Sequence, residues 1–592
     1  MTTSELRDLK IKILAETDLN KRLDYFPKMN AYEFMFECNK NRMDSFALNY
    51  LGRKYTFNEL KEKIDIAARG YAELGIKPGD HVGMSMLATP EGIISVFALL
   101  KIGAKIHHIN AADKPEQVAK QLTENQITAF IGLDILYNNK MMEVMNNAQI
   151  SRVFVSSLTE SLPNVLNTDK VKFELINIVK KYGNAVNRDP RCIKWDTLCT
   201  VGKYSRLDIK PHYIPGEEVM YANTSGSSGE PKTVPATHEA INAMPVQIGM
   251  TDETFAPGDS IFSTLPLWIY YSLVNNIHVP LCLGVCVDLD PIFDAKNIAK
   301  RVQQYLFEHW NTIPAYAEAM AKDKKIRKIR LRHMKSVTTG GDFNKISTQD
   351  AIRELAASNN PTESNNEIQS GQGYGASEIL GSAGYTYEKD ATPGSVGKML
   401  TGNEFKIISI DNGAVLGPNQ VGELYLFTPT IMKGYLNNPE ATAEALVRDE
   451  NGVVWYKTGD LAHYNERREL FIDGRIRRIE MVKDDAGNPT KLFPEKIKKV
   501  LLKHYLVDGC EVITADDEKH IKKPIAYIVL KNNIPMTPRI ENELRMMCEA
   551  ELPSYSVPTE YIFIDKIPLK PSLKPDIDEL TRRYNERNSY RI

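Results

Sequence analysis

The stretch TSGSSGEPKT, from Thr224 to Thr233, gathers the hydroxyl side chains of Thr224, Ser225, Ser227 and Ser228, two glycines (Gly226 and Gly229) and the cation Lys232, and ends on a further hydroxyl at Thr233. Hydroxyls, exposed main-chain N–H groups and an ammonium are the donors a polyphosphate needs from a mobile loop. By composition alone the stretch is equally a flexible linker. The phosphate-loop spacing G-x-x-x-x-G-K-[ST] fits from Gly226 to Thr233 except at Pro231, where a glycine is required. Proline has a fixed φ and no N–H, so it can neither adopt the glycine-only conformation nor donate to a phosphate. That template is excluded, which leaves a linker or a phosphate grip of another kind.

The elements that must position such a loop alternate between strand and helix. Thr56 and Glu59 form a capping box ahead of Leu60, Ile64, Ala67, Tyr71 and Leu74, and Gly75 stops the helix. A strand is expected at 81–87, a helix from Pro90 to Gly103, and another strand at AKIHHI. This alternation predicts a doubly wound α/β architecture. The stretch 140–215, punctuated by Asn, Ser and Pro, reads as a peripheral insertion. The pattern resets near the C-terminus, with helices at 495–504 and 538–552 and strands at 509–514, 524–530 and 560–564. DGRIRR, at 473–478, is the expected link to this smaller unit.

At 592 residues the chain is long enough for several folding units. With 74 Lys+Arg against 76 Asp+Glu, 42% hydrophobic residues and a net charge of −2, it predicts no general affinity for nucleic acid. The one basic run, Lys322 to Lys335, is expected to be a solvated helix face. The N-terminus lacks the positive-then-apolar layout of a signal peptide and no apolar run approaches a membrane span, so a cytoplasmic protein is expected. Seven scattered cysteines without a CxxC pair support neither a disulfide framework nor a zinc site, and Cys282 and Cys286 are expected in a buried strand.

Five motifs, taken in order, resemble the signatures of the adenylate-forming superfamily, which includes acyl- and aryl-CoA synthetases, nonribosomal peptide synthetase adenylation domains and firefly luciferase. TSGSSGEPKT resembles [ST]SG[ST][ST]GxPKG, and TTGGD, with Gly340, Gly341 and Asp342, resembles the loop beside adenine and the acyl group. GYGASE resembles the region around YGxTE, with Gly373, Tyr374, Gly375, Ser377 and Glu378 at nucleotide-binding positions. The resemblance implies that Tyr374 packs on adenine, Ser377 contacts the α-phosphate and Glu378 helps hold Mg²⁺, for which a hard oxygen ligand is suited. WYKTGDLAHYNERRELFIDGR, at 455–475, is similar to the paired elements in which Asp460 and Arg475 contact ribose. A carboxylate with two acceptor oxygens fits a vicinal diol. IPLKPSLKPDIDEL, at 567–580, resembles the closing element whose lysine, here Lys574, reaches the α-phosphate and the substrate carboxylate.

The resemblance implies an α/β fold with a large N-terminal domain of layered sheets, residues 1–476, and a small mobile C-terminal α/β domain, 477–592, that swings about a hinge at Arg477. It is closest in type to an AMP-forming acyl-CoA ligase. Such an enzyme couples a carboxylic acid to ATP as an acyl-adenylate, with Lys232 and the loop hydroxyls on the β,γ-phosphates, and then transfers the acyl group to coenzyme A. A separate carrier protein or an amine as acceptor is the alternative, and a catalytically silent nucleotide-binding relative is a third reading. The sequence departs from the pattern at Met481 for a lysine, Asp484 and Leu573 for glycines, Thr233 for a glycine and Ile269 for a histidine. No aspartate stands where amino-acid-activating domains bind an α-amino group, which points to an uncharged acyl or aryl acid. Trp268, Tyr270 and Tyr271 are the aromatic residues expected to line its pocket.

Overall fold

In the computed structural model, which describes residues 3–162, 185–224, 231–252, 254–342, 346–359, 368–386, 391–531, 534–569 and 575–589, Thr56 caps the helix Phe57–Glu73 as its sequence dictates. The Thr56 hydroxyl accepts from the Glu59 N–H at 3.1 Å, and the Glu59 carboxylate accepts from the Thr56 N–H at 2.9 Å. Leu60, Ile64, Ala67 and Tyr71 form the buried face, and Gly75, at φ +93°, turns the chain out of the helix. The helix Pro90–Ile102 is buried along its whole length, opened by the Thr89 cap on Gly92 and closed by Gly103 at φ +88°.

Two sheets carry the first part of the chain. The seven-stranded sheet runs in the order Cys192–Lys194, Arg152–Ser156, Ala129–Leu133, His81–Ser85, Lys105–His108, Glu218–Asn223 and Thr233–Thr237. All its neighbours are parallel except the last pair, which forms an antiparallel hairpin. The nine-stranded sheet has a parallel centre of Gln369–Ala376, Ser336–Thr339, His309–Thr312, Ser260–Ser263, Cys286–Leu289 and Phe46–Tyr50, with antiparallel strands at both edges. This is the α/β layering that the alternation predicts.

Three expectations need correction. The stretch 140–215 is no peripheral insertion, because RVFVS and CIK supply the last two strands of the seven-stranded sheet. Asn, Ser and Pro punctuation hides short strands of this kind, RVFVS largely buried and CIK at the sheet edge. Cys282 lies in the helix Val279–Leu283 rather than in a strand with Cys286; Pro280 favours a first helical turn, and Gly284 at φ +75° redirects the chain into Cys286–Leu289. The basic run is not a helix face, since the helix Pro314–Lys322 ends at its first residue. Ile326, Ile329, Leu331 and Met334 are buried and set its path, which leaves the lysines and arginines exposed.

The chain divides into two compact units, Met1–Glu404 with Leu426–Tyr456, and Phe405–Tyr425 with Lys457–Ile592. Residues 405–425 and 457–476 thus group with the C-terminal segment, whereas the sequence sets the division at 476/477. The reason is strand pairing: Leu470–Arg475 pairs with Asp460–Tyr464, and the Thr458 hydroxyl donates to the Leu424 carbonyl at 2.9 Å. Within this unit Val507–Asp517 and Ile521–Leu530 pair antiparallel, and Glu560–Phe563 adds parallel. Successive strand side chains face opposite ways. Val512, Ala526 and Ile528 accordingly pack with the helices Pro494–Leu501 and Pro538–Glu551, while Ile513, Ile525 and Tyr527 pack with Leu580 and Tyr584 of Ile577–Ser589. Among the described residues no helix is long and apolar enough to cross a membrane.

Because the Thr56 hydroxyl supplies one half of the capping box, Thr56→Ala is expected to lower stability by about 1 kcal/mol. Chemical denaturation followed by circular dichroism should show an earlier midpoint with an unchanged slope.

Candidate active site

Pairing of Glu218–Asn223 with Thr233–Thr237 makes TSGSSGEPKT the connection of a hairpin. Both ends are pinned. The Thr224 N–H donates to the Lys232 carbonyl at 2.8 Å, the Lys232 N–H to the Thr224 hydroxyl at 3.1 Å, and the Thr233 hydroxyl to the Asn223 side chain at 2.8 Å. Ser225, Gly226, Ser227, Ser228 and Gly229 lie outside the described residues. Lys232 therefore leaves the loop from a fixed root, behind a proline whose own backbone is restricted.

A second segment laces this root to the YGASE turn. The Leu436 N–H donates to the Thr233 carbonyl at 3.0 Å, and the Met432 N–H donates to the Glu378 carbonyl at 2.8 Å. Between them the Lys232 ammonium stands 4.7 Å from the centre of the Tyr435 ring, and the Tyr435 hydroxyl donates to a Glu378 carboxylate oxygen at 2.8 Å. Tyr435 is 9% exposed, its N–H is held by the Thr442 hydroxyl at 2.8 Å, and Gly434 precedes it at φ +154°. Sequence reasoning passed over Tyr435. Its place in KGYLNNPEAT, far from the loop and the YGASE turn in the chain, does not mark it out among the chain's tyrosines.

Glu378 sits in the 3₁₀ turn Ser377–Ile379, where Gln369–Ala376 crosses to Gly381–Tyr385. The turn is crowded at the main chain. A Cβ on Gly375 would lie 1.6 Å from the Gly381 carbonyl oxygen, and one on Gly381, at φ +126°, 2.0 Å from Asn275 Nδ2. Asn275 in turn donates to the Leu380 carbonyl at 3.2 Å. It belongs to a π-helical segment, Tyr271–His278, a conformation often found at functional sites. Tyr271 begins that segment and lies over Gly340, whose absent Cβ would be 3.2 Å from Tyr271 Cζ. Gly340 and Gly341 continue from Ser336–Thr339, with Gly341 at φ +87° and Asp342 exposed beyond it. Burial pushes the Tyr271 phenol up from its ordinary value.

Gly340–Asp342, Ser377 with Glu378, and Trp268 with Tyr271 all follow the carboxyl ends of parallel strands of the nine-stranded sheet, where open α/β sheets bind ligands. Gly373, Tyr374 and Gly375 lie on the last of these strands, with Tyr374 half-buried. Tyr270 does not share the role expected for it. It is 2% exposed, and its hydroxyl donates to the Met220 and Val234 carbonyls at 3.0 and 2.9 Å. It braces the hairpin under the loop instead of lining a pocket.

In the second unit Asp460 and Arg475 lie directly opposite one another in neighbouring strands, and their side chains pair at 2.8 Å. Asp460 is 4% exposed, and its N–H donates to the Thr458 hydroxyl at 3.0 Å. Arg475 also donates to the Thr458 carbonyl at 3.3 Å. Arg477 is exposed in the turn Ile476–Arg478, and Arg478 ties that turn to the Val512 carbonyl at 2.7 Å. Met481 is exposed on a short hairpin, Glu480–Lys483 with Pro489–Leu492, and Asp484 accepts from Ala486 and Asn488 in its turn. Lys574 lies outside the described residues.

Among the described residues no group of three or more His, Cys, Asp or Glu side chains is placed to hold a metal ion. Glu378 alone nevertheless suits magnesium, which takes one or two carboxylates and completes its shell with phosphate oxygens and water. One carboxylate oxygen is oriented by Tyr435, and Glu378 forms no ion pair among the described residues.

A hydroxyl-rich loop with a rooted lysine, a carboxylate beside it and a second unit with a buried, arginine-paired aspartate define a nucleotide-handling α/β enzyme. The model of AMP-binding enzymes matches residues 35–436, and that of the AMP-binding enzyme C-terminal domain matches 496–574. The chain belongs to the AMP-binding enzyme family. It is 26% identical over 515 residues to a 4-coumarate–CoA ligase of Humulus lupulus, spanning 86% of this chain and 85% of that one. It is 25% identical over 532 residues to the peroxisomal OPC-8:0-CoA ligase 1 of Arabidopsis thaliana, spanning 88% and 87%. Among solved structures, the anthranilate CoA ligase AuaEII with anthranoyl-AMP shares the fold at a TM-score of 0.75 and 18% identity, covering 95% of this chain and 98% of that one. The amide bond synthetase McbA of Marinactinospora thermotolerans does so at 0.74 and 19%, covering 94% and 100%.

The brace assigned to Tyr270 separates it from its neighbours. Tyr270→Phe removes the one hydroxyl proton that these two carbonyls share and is expected to lower stability by about 0.5–1.5 kcal/mol. The order of preference among carboxylic acids should stay as in the wild type, whereas Tyr271→Ala should change it; competition assays between acids check both.

Proposed function

We propose that the protein is an ATP-dependent, AMP-forming acid–CoA ligase. The observation that carries this reading is the convergence of Lys232 and Glu378 on Tyr435 at the root of the hydroxyl-rich loop. A carboxylate is a poor acyl donor, and coupling it to AMP with departure of pyrophosphate supplies a leaving group. The protein then has to hold two anions together and complement the charge of the crowded transition state, which positioning and electrostatics can do without a protein nucleophile.

In this reading Lys232 and the loop hydroxyls take the β,γ-phosphates, and Ser377 meets the α-phosphate. Gly340 to Asp342 and Tyr374 flank the adenine, and Asp460 with Arg475 holds the ribose. Glu378 would hold the magnesium ion, which offsets phosphate charge when bound. Lys574 bridges the α-phosphate and the acid's carboxylate. Tyr271 and Trp268 shape the acyl pocket, and the 477–592 segment pivots at Arg477 between adenylation and thiol transfer. Removal of the ammonium at Lys232 or Lys574 takes away a contact that strengthens as charge develops.

A second acceptor has a specific observation in its favour. Met481 and Asp484 stand where the family pattern has a lysine and a glycine, and Asp484 is committed to a hairpin turn. A carrier-bound thiol or an amine would then receive the acyl group in place of coenzyme A.

The test is pyrophosphate release across a panel of carboxylic acids, with and without coenzyme A. Acid-dependent release with turnover that needs coenzyme A is expected. Acyl-AMP that accumulates despite added coenzyme A would transfer the second step to another acceptor, and absence of acid-dependent exchange of pyrophosphate into ATP would sink the adenylation reading. Lys232→Ala should slow adenylation by roughly 10²–10³ while weakening a preformed acyl-AMP much less. Equal effects on both would contradict its place on the β,γ-phosphates.

A further inference from the structure

Lys232 and Glu378 carry opposite charges and touch the same side chain, yet among the described residues neither forms an ion pair. An ammonium and a carboxylate brought so near would ordinarily close on one another, and each would then be neutralised before a nucleotide arrived. Tyr435 engages both, the lysine at its ring face and the carboxylate at its hydroxyl. Its ring face takes the cation, an electrostatic attraction to the quadrupole that leaves the full positive charge in place. Its hydroxyl orients the carboxylate through one hydrogen bond, which leaves the negative charge in place as well. The ring cannot move aside easily, because it is buried and its main chain is held by Thr442, while Met432 and Leu436 on either side are bonded to Glu378 and Thr233.

We propose that Tyr435 is a positioning residue that keeps Lys232 and Glu378 out of a direct ion pair, so that each is presented to a nucleotide triphosphate with its charge uncompensated. The inference rests on the adenylating reading of the site for its purpose, but its structural content stands apart from turnover. The ring contact is weak enough for a phosphate oxygen to displace, the hydrogen bond leaves the other Glu378 oxygen open to a cation, and the geometry that holds the two charges exists before ligand binds. A tyrosine suits this task better than phenylalanine or leucine, since it alone offers an attractive surface to each partner.

Two variants test the proposal. Tyr435→Leu removes both contacts, and its nucleotide-free crystal structure should show the Lys232 ammonium within ion-pair distance of the Glu378 carboxylate. Tyr435→Phe keeps the ring and should keep the two apart, while its loss of the hydroxyl tether raises the Mg²⁺ concentration needed for half-maximal ATP binding. In calorimetry without Mg²⁺, Tyr435→Leu should bind ATP roughly tenfold or more weakly than the wild type, the scale of one hydrogen bond to a charged group. Adding Glu378→Gln to Tyr435→Leu should recover that metal-free affinity, because the lysine is released. A leucine variant whose Lys232 and Glu378 stay apart, or a double variant with no recovery and only a lower melting temperature, would overturn the proposal and leave Tyr435 a packing residue. Failure of acid-dependent pyrophosphate exchange in the wild type bears on the adenylation reading alone, since the crystal structure of the leucine variant decides this one.

Discussion

A cation and a carboxylate that serve one anionic ligand must not satisfy each other first, and the described site is arranged around that constraint. Lys232 is rooted by the reciprocal hydrogen bonds of Thr224, and Glu378 is set in a 3₁₀ turn whose carbonyl is bound by Met432. The segment that reaches both, 432–436, belongs to neither motif. It joins them through main-chain bonds, whose geometry is nearly independent of side-chain type, and brings one tyrosine against both charges. Backbone thus fixes where the two side chains start, and the separation of their charges is left to a side chain.

Main-chain crowding is the second determinant. Gly375 and Gly381 leave no room for a Cβ against each other and against Asn275, which brings the YGASE turn onto the π-helical segment that begins with Tyr271. Tyr271 in turn lies over Gly340. Three sequence-distant stretches are therefore packed at backbone distance, and the glycines there are explained by packing before any ligand is considered. A π-helical turn is intrinsically less favourable than an α-helical one and persists only where surroundings hold it. Asn275 and Asn276, donating to the carbonyls of Leu380 and Asn311, are such surroundings.

Much of this was legible because certain local rules leave little choice. A capping box, Pro90 at a first turn and Gly103 after a last one fix helix ends by hydrogen bonding and sterics that need no tertiary contacts, and they fall where expected. The strands of the C-terminal sheet lie where the runs EVI and IAYI predict them, and their two faces become apparent only from what each side packs against. The misread pieces are those where local rules are silent. Short edge strands such as CIK carry no alternation, an apolar run around Cys282 fits helix and strand alike, and the basic run follows its four buried apolar residues in place of a helical period.

The motifs that carry the proposed site are legible by residue type and spacing, and the aromatic residues show where that information ends. Tyr270, Tyr271 and Tyr435 have the same side chain and lie beside motifs, but one hydroxyl is spent on two main-chain carbonyls, one ring shields a glycine, and one side chain engages two charges. Nothing in the local sequence distinguishes these uses, because the partners are set by strands and turns more than thirty residues away in the chain. Charged and hydroxyl residues are easier to read since their chemistry is expensive to bury without a purpose, whereas a tyrosine is at home in a core. The residue that governs the relation between Lys232 and Glu378 was for that reason the one the sequence could not single out.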